Sequence, residues 1–343
     1  MVTTRTVAAT DDDTASAVRE AVVLLAAGEV VAVPTETVYG LAADAFRPEA
    51  VAKLFAVKER PAFDPLIVHV AARRDLSRVA RVPEEIAEVI DALTSAFWPG
   101  PLTLVLPKQP EVPDLVTSGL PTVAVRQSAD PVMRAVCKGL GNPLAAPSAN
   151  RFGRISPTSA SAVEKELGGL IPLIIDGGAC REGIESTIIT VEAGDKRPLI
   201  RILRAGPVTK EQLQAFGKVV KAPRVTDQPT VPGQLPSHYA PRTPLLVFAR
   251  EADFQPEPGK RYGLLSYAGD AKAGYVDAHE WAVVESLSPG NGKLPEAAVR
   301  LFYLLRKLDE AGLDAIVAEP VGETGLGVAI MDRLRRAASN RVH

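Results

Sequence analysis

The most constraining feature of this sequence is a short apolar run that ends in small polar residues. Residues 30–33 read VVAV and lead directly into Pro34, Thr35, Glu36 and Thr37. An apolar run of this length bounded by a turn signal is typical of a buried strand. Because open α/β sheets usually build their ligand sites at the carboxyl ends of strands, we expect this polar cluster to line a site.

A helix with a clear stop follows. Pro48 suits its first turn, and apolar residues recur on one helical face as far as Lys58. Pro61 predicts the helix end, because the residue before a proline avoids the α region. Lys58 therefore lies at the helix end, with Arg60 just outside it. Such cations either complement the helix dipole or bind an anion, and a short motif alone leaves both interpretations open.

The next predicted strand ends in a histidine. Residues 65–70 read PLIVHV. Alternation places Leu66, Val68 and Val70 on one face and Ile67 and His69 on the other. His69 then lies beside the same site.

A further strand ends in an arginine. Residues 122–126 read TVAVR, with Thr122, Ala124 and Arg126 on one face and valines on the other. An arginine on an apolar strand is costly unless it pairs with an anion. A bound ligand and a local carboxylate are both open as its partner. Asp130 and Pro131 predict the start of the next helix.

Residues 143–150 read PLAAPSAN and repeat the pattern of an apolar run that ends in small polar residues. Ser148 offers a hydroxyl and Asn150 an amide to a ligand. The same letters are also an ordinary turn signal.

The remaining N-terminal elements follow from periodicity and from start and stop signals. We predict helices over 15–27 and 82–97, a helix opened by residues 156–158, a short helix with a capping box from Thr209 to Gln212, and strands at 102–106, 173–176, 185–189 and 202–204.

Composition narrows the class of protein. The 343 residues predict two or more domains, and the net charge of −2 gives no basic field for nucleic acid. Cys137 and Cys180 lack metal-ligand spacing, so we predict no metal site held by the protein alone. We also expect no signal peptide or membrane span and a cytoplasmic location.

The C-terminal third alternates again after a segment without periodicity. Residues 217–243 predict a linker, and 244–343 alternate strands with helices, which indicates a small α/β domain with a parallel sheet. The predicted strands are 245–248, 262–267 and 315–318, and the predicted helices are 295–311 and 326–338. The glycines at 322, 325 and 327 do not spell a dinucleotide-binding motif.

Several motifs in one order carry a family resemblance. They are PTETVYGL at 34–41, KERP at 58–61, PLIVH at 65–69, VAVR at 123–126, PSAN at 147–150, ESTI at 185–188 and LRAG at 203–206. Over residues 12–215 the chain resembles the YrdC-like domain of threonylcarbamoyl-AMP synthases. The remainder resembles the long, two-domain form, with the linker motif PGQLPSHYAP at 232–241.

The resemblance implies an α/β fold and a domain plan. It implies a YrdC-like twisted mixed sheet with flanking helices, plus a smaller Rossmann-like α/β domain. The expected parts are a catalytic domain at 1–216, a linker or lid at 217–243 and an accessory domain at 244–343.

The resemblance also implies a reaction. The family joins L-threonine, bicarbonate and ATP, with Mg²⁺, into threonylcarbamoyl-AMP and pyrophosphate. The product serves a tRNA threonylcarbamoyl-transferase complex that makes N6-threonylcarbamoyladenosine. The nucleophile belongs to the substrate, so the protein must supply positioning and charge stabilisation.

The candidate site residues fall into two groups. We assign Lys58 and Arg60 as catalytic cations that bind the phosphates of ATP. We assign the nucleotide site as Lys58, Arg60, Thr122, Ser148, Asn150, Ser156, Arg204, His238 and Tyr239. The resemblance places threonine-binding positions at Thr37, His69, Arg126, Ala146 and Ser186. Thr35, Glu36 and Tyr39 are expected at the pocket floor.

The linker is expected to act as a lid. It is too long for an ordinary connection, and a cleft that makes a hydrolysable adenylate must exclude water. His238 and Tyr239 would face the nucleotide, although Tyr239 packing on a domain surface is an open alternative. Asp64 would repel phosphates unless Mg²⁺ or Lys58 compensates its charge. Ser237 replaces an arginine of some relatives, which predicts weaker linker contacts to phosphate.

Two other functions fit parts of the pattern. YrdC-like domains resemble RNA-binding modules, so an RNA-binding or ribosome-assembly factor, or weak RNA binding beside the synthase activity, is an alternative. Carbamoyl transfer to another acceptor, as in hydrogenase-maturation relatives, is a third function, but their zinc-ligand spacing is missing here.

Overall fold

The computed structural model describes residues 2–10, 13–223, 229–235, 238–269, 274–290 and 292–338. It divides into two compact units. The first comprises residues 1–152, 157–181 and 185–235, and the second comprises 153–156, 182–184 and 236–343. Ser237 and parts of the predicted linker lie outside the described residues.

The first unit is a sheet with helices on both faces. Its strands are β1 (Arg5–Ala8), β2 (Val31–Val33), β3 (Gly40–Asp44), β4 (Ile67–His69), β5 (Leu102–Pro107), β6 (Thr122–Arg126), β7 (Leu144–Ala145), β8 (Leu173–Asp176), β9 (Thr187–Glu192), β10 (Leu199–Arg204) and β11 (Lys218–Lys221). Its helices are α1 (Thr14–Ala26), α2 (Pro48–Lys58), α3 (Ala87–Phe97), α4 (Asp114–Thr117), α5 (Pro131–Leu140), α6 (Ala160–Leu167) and α7 (Lys210–Leu213).

The strand order brings distant segments together. Among the described residues, the sheet of the first unit runs β1-β8-β2-β3-β7-β4-β6-β5-β9-β10-β11 and mixes parallel with antiparallel pairs. β4 and β6 are parallel neighbours in which His69 is the register partner of Arg126. The carboxyl ends of two strands that are far apart in sequence therefore meet at one edge of the sheet.

Local sequence signals explain the elements that frame this edge. α2 begins at a proline and ends at Lys58, and Glu59 turns the chain out of the helix in the left-handed conformation. The Asp130 carboxylate caps α5 by accepting from the N–H groups of Val132 and Met133. Gly141, with φ of 77°, ends that helix where a side chain would be strained.

The two faces of this sheet bury different groups. The valine face of β6 and the Leu66–Val68 face of β4 join the larger core, which also holds the apolar residues of α2, α3 and α6. α1 and α5 pack against β2, β3 and β7 on the other face. His69 and Arg126 point away from the larger core, as the alternation predicts.

The second unit contains a parallel sheet. Its strands are β12 (Leu245–Val247), β13 (Tyr262–Ser266), β14 (Val283–Ser286) and β15 (Ala315–Ala318), and its helices are α8 (Tyr275–Ala278), α9 (Leu294–Asp309) and α10 (Leu326–Ala338). In the part of the chain that the structure describes, the strand order is β12-β15-β13-β14 and every pair is parallel. The predicted α/β alternation of this region is confirmed.

The sequence predictions fail at several places, and strands β1 and β14 were not predicted at all. β3 was not predicted, because GLAAD carries no β-branched residue. Helix α6 begins after Ser159, whose hydroxyl accepts from the N–H of Ala162, rather than at residues 156–158. Residues 218–221 are not linker but strand β11, which pairs in parallel with β10. A strand of only four residues, KVVK, is too short to be recognised from its periodicity.

Candidate active site

The polar cluster after β2 meets the end of β6 through a buried ion pair. The Arg126 Nη2 and Glu36 Oε1 atoms are 2.6 Å apart, and both side chains are almost fully buried. Arg126 also donates from Nη1 to Thr37 Oγ1 at 2.9 Å and from Nε to the Gly100 carbonyl at 3.2 Å. Of the two partners left open for Arg126, the structure therefore shows the local carboxylate.

Glu36 is ionised in this setting. Burial alone would raise its pKa, but Arg126 and the hydrogen bond from the Ser128 hydroxyl outweigh burial and lower the pKa to about 2. Sequence reasoning assigned Glu36 only to the pocket floor and missed Ser128. A pairing across ninety residues leaves no trace in spacing, because only the fold brings the two segments together.

His69 lies beside this pair, and one of its ring nitrogens is available to a ligand. Its side chain is 3% exposed, and its Nδ1 has no hydrogen-bond partner among the described residues. Burial, and then Arg126, lower its pKa to about 3, so the imidazole is neutral near pH 7. Buried polar atoms are rarely left without a partner. An unpartnered nitrogen beside Arg126 and Thr37 therefore marks a position for a polar ligand atom.

Thr35 fixes the backbone of the polar cluster. Its hydroxyl accepts from the N–H groups of Thr37 and Val38 at 3.1 and 3.2 Å and lies 2.9 Å from Thr37 Oγ1. This turn orients Thr37 toward Arg126. Ala146, another predicted threonine contact, follows β7 and donates its N–H to the carbonyl of Ile67.

Lys58 reaches from the end of α2 to the segment after β7. Its ammonium donates to the Ser148 carbonyl at 2.6 Å and to the Asn150 carbonyl. Burial holds its pKa well below its usual value, and Arg60 adds to this, while Asp64 and Glu166 oppose it. A bound phosphate would favour the charged form. The KERP and PSAN motifs are thus joined by hydrogen bonds.

Arg60 and Asp64 are a second buried ion pair. Arg60 Nη2 lies 2.9 Å from Asp64 Oδ2, and the guanidinium also donates to the carbonyls of Asp64 and Pro65. Burial has the largest effect and raises the pKa of Asp64 above its usual value, although Arg60, Lys58 and Arg204 act to lower it. The charge of Asp64 is therefore compensated mainly by Arg60, which the sequence analysis did not consider for this role.

Arg204, the last residue of β10, is hydrogen-bonded to Ser186, which directly precedes β9. Arg204 donates from Nη2 to the Ser186 hydroxyl at 3.0 Å and from Nε to the Ser186 carbonyl at 3.1 Å. The Ser186 hydroxyl lies 2.7 Å from that of Thr103. A predicted phosphate contact and a predicted threonine contact are thus neighbours, and Thr103 is a polar group that sequence reasoning missed.

Part of the predicted linker lies over the same face of the sheet. Val231 is 1% exposed and packs with Ile67, Ala124 and Ile188. The Pro232 carbonyl accepts from Arg204 Nη1 at 3.3 Å. Val231 therefore covers this apolar strip, which is formed by Ile67, Ala124 and Ile188. Thr122 lies on the Arg126 face but four residues earlier, roughly 13 Å along the strand.

Three predicted nucleotide contacts belong to the second unit. They are Ser156, His238 and Tyr239. Tyr239 is buried, stacks on Phe302 with ring centroids 5.4 Å apart, and has the Arg333 guanidinium 5.7 Å from its ring centroid. This packing corresponds to the alternative left open for Tyr239. The nucleotide contacts of these three residues stay predictions.

Family models cover nearly the whole chain. One described as telomere recombination matches residues 23–206, and one described as the C-terminal domain of threonylcarbamoyl-AMP synthase matches residues 208–339. The threonylcarbamoyl-AMP synthase of Bacillus subtilis is 40% identical over 338 residues, which are 95% of this chain and 94% of the relative. That of Pyrococcus abyssi is 40% identical over 332 residues, 92% of each chain.

A solved structure shares the fold of the full chain. P. abyssi Sua5 complexed with L-threonine has a TM-score of 0.86 and 37% identity, covering 99% of each chain. This likeness confirms the predicted mixed α/β fold. In the part of the chain that the structure describes, no helix is long and apolar enough to cross a membrane, and no group of three His, Cys, Asp or Glu residues could hold a metal ion.

The state of His69 predicts a pH dependence of stability. Its pKa is lowered from 6.5 to about 3 in the folded protein. As pH falls below 6.5 the unfolded chain binds the proton first, so stability is lost by up to about 1.4 kcal/mol per pH unit until the folded pKa is reached. Between pH 6 and 5 the His69→Gln variant should lose about 1 kcal/mol less unfolding free energy than the parent.

The measurement is urea unfolding followed by Trp98 fluorescence in a Trp281→Phe background, so that the signal reports the first unit. His279→Gln in the second unit is the matched control. Equal pH slopes for parent and His69→Gln would show that His69 is protonated as readily in the folded as in the unfolded state.

Proposed function

The chain belongs to the family of threonylcarbamoyl-AMP synthases, and we propose that the candidate site of its first unit carries out that reaction on L-threonine, bicarbonate and ATP. The supporting observation is similarity along the full length, at 40% identity, to synthases of this name. The enzyme is a nucleotidyltransferase. The residue assignments below are our proposals.

Threonine is proposed to bind between the ends of β4 and β6. Arg126 has five N–H groups, and its contacts to Glu36, Thr37 and Gly100 leave one on each terminal nitrogen for the substrate carboxylate. The open Nδ1 of His69 and the hydroxyl of Thr37 or Ser186 would take the substrate hydroxyl. Glu36 keeps Arg126 in place and balances its charge, so carboxylate binding depends on hydrogen bonds as well as on charge.

ATP is proposed to bind against Lys58, Arg60 and Arg204. All three act to lower the pKa of Asp64, so they lie close enough together to engage one polyanion. Ser148, Asn150 and Thr122 would supply polar contacts to the rest of the nucleotide, with Ser156, His238 and Tyr239 as further candidates. Arginine and lysine held by backbone carbonyls are oriented before the ligand arrives, which lowers the cost of binding.

The chemistry needs no nucleophile from the protein. The threonine amine and bicarbonate form a carbamate with loss of water. A carbamate oxygen then attacks the α-phosphorus of ATP, the bond to the bridging oxygen breaks, and pyrophosphate leaves. Lys58, Arg60 and Arg204 stabilise the charge that develops on the phosphate oxygens. The neutral His69 holds the threonine, which keeps its amine near the phosphate.

Magnesium is proposed to enter with ATP. Asp64, a carboxylate beside the phosphate-binding cations, is engaged by Arg60. The donor set therefore suits an ion held by the triphosphate and water, as is usual for Mg²⁺, rather than by a cage of protein carboxylates.

The wider role and location are also proposals. The product is proposed to pass to a tRNA threonylcarbamoyl-transferase complex in the cytoplasm. Both cysteines are free thiols in the structure, in keeping with a reducing compartment.

The reaction predicts that pyrophosphate release depends on threonine. Mass spectrometry should detect threonylcarbamoyl-AMP only when threonine, bicarbonate and Mg²⁺-ATP are all present. Valine should be a very poor substitute, because a site built to bind a hydroxyl leaves its polar groups unpaired with valine. Equal pyrophosphate release without threonine would indicate a simple ATPase.

Separate subsites predict separate kinetic effects. Arg126→Ala alone would leave Glu36 buried without a counterion, so the comparison uses a Glu36→Gln background. There, Arg126→Ala should raise the threonine KM roughly ten- to a hundredfold with a much smaller change in the ATP KM. Lys58→Ala should instead lower kcat, because its charge acts on the transition state. A common kinetic pattern for both changes would contradict two subsites.

The lid proposal predicts protection from proteolysis. Residues 229–235 already contact Arg204 and the apolar strip, so a nucleotide beside Arg204 would be covered by them. Limited cleavage within 217–243 should slow when ATP and threonine are both bound. Cleavage at an unchanged rate with saturating ligands would mean that this segment is only a tether.

A further inference from the structure

A cavity of the first unit lies outside the residues assigned to threonine and ATP. Its volume is about 460 Å³. The walls are the segment that follows β4, the outer face of α5 and the turn at 141–143. This volume lies within the range of small-molecule sites.

The cavity has an excess of positive charge. Arg74 and Arg78 line it from the 3₁₀ turn Arg73–Arg78, and Arg134 and Lys138 line it from α5. Asp75 is the carboxylate among its lining residues, and its Oδ2 already accepts from the N–H of Ala72. Four cations thus share one cavity with a single carboxylate that is engaged locally.

The spacing of these cations is unfavourable without an anion. Arg134 and Lys138 are four residues apart on α5, where like charges repel and destabilise a helix. Arg74 and Arg78 add two further positive charges from the opposing wall. An anion in the cavity would relieve the repulsion on both walls.

Two of the cations are held in place and two are available. Arg78 donates to the Gly141 carbonyl at 2.8 Å and lies over the Phe46 ring, and Arg134 donates to the Ser128 carbonyl at 2.9 Å. Within the described residues, the side chains of Arg74 and Lys138 make no hydrogen bond or ion pair. Each wall therefore presents one oriented guanidinium and one cation ready to engage a ligand.

We propose that this cavity binds an oligophosphate, a ligand with two or three linked phosphate groups. Arginine matches phosphate with a fork of N–H donors, and lysine adds a point charge. A single phosphate would neutralise only part of the positive charge on the two walls, whereas linked phosphates can contact both walls. Val70, Ala135 and Pro143 give the cavity a partly apolar lining. The organic part of a nucleotide can pack against such a surface.

A free oligophosphate fits better than a nucleic-acid backbone. The positive charge is confined to one compact cavity, and the chain as a whole carries a net charge of −2. Nucleic-acid binders usually present a basic patch along an extended face.

The test is calorimetric titration of the full-length protein with inorganic triphosphate at low ionic strength. The parent should bind two equivalents, one at this cavity and one at the proposed ATP site. In the charge-reversed variant Arg74→Glu/Lys138→Glu, the Kd of triphosphate for this cavity should rise at least roughly tenfold, so that one of the two equivalents is lost from the titration. Arg19→Glu/Lys210→Glu, which makes the same change in net charge at exposed positions elsewhere, should keep both.

Two further arms separate the possible outcomes. Lys58→Ala should lose the other equivalent, and its failure to do so would count against the ATP site alone. A duplex RNA of about 20 base pairs is titrated into the same variants. Triphosphate binding by Arg74→Glu/Lys138→Glu with the stoichiometry and affinity of the parent would overturn the proposal. If the variant loses only RNA binding, the cavity is a nucleic-acid contact instead.

Discussion

The ion pair between Glu36 and Arg126 is the interaction on which the candidate threonine site depends. It ties the loop after β2 to the end of β6, and the same guanidinium holds Thr37 and the Gly100 carbonyl. Removing one member of a buried pair leaves the other charge without a partner and costs about 3–5 kcal/mol. The pair therefore fixes the pocket and also limits how much net charge it offers to a substrate carboxylate.

The proposed nucleotide side of the site also relies on local charge compensation. Phosphate binding needs cations in a cleft, but buried cations are costly before the ligand arrives. Lys58 reduces this cost by donating to two backbone carbonyls, and Arg60 by pairing with Asp64. Local compensation of this kind allows a chain with a net charge of −2 to keep these cations buried at the proposed phosphate site.

The predicted boundaries fail where the determining contact is remote. β3 is built from small residues, and it lies between β2, which precedes it in the chain, and β7, which is remote in sequence. β11 extends a sheet whose edge is β10, so four residues of the predicted linker are strand. By contrast, α5 and the helix at Thr209 begin where a side chain accepts from the first N–H groups, and α2 begins at a proline that has no N–H; these starts were predicted from sequence.

The sequence by itself determined the alternation of strands and helices, the facing of His69 and Arg126 away from the valine core, and the motifs that identify the family. Each depends on residues a few positions apart, whose spacing is fixed by the geometry of helix and strand. Only the tertiary structure decided that Arg126 pairs with Glu36, that Asp64 is neutralised by Arg60, that Ser186 joins Arg204 and Thr103, and that Tyr239 stacks on Phe302. These partners are chosen by strand order and by packing, and a charge or a ring pairs with whichever complementary group the fold brings within reach.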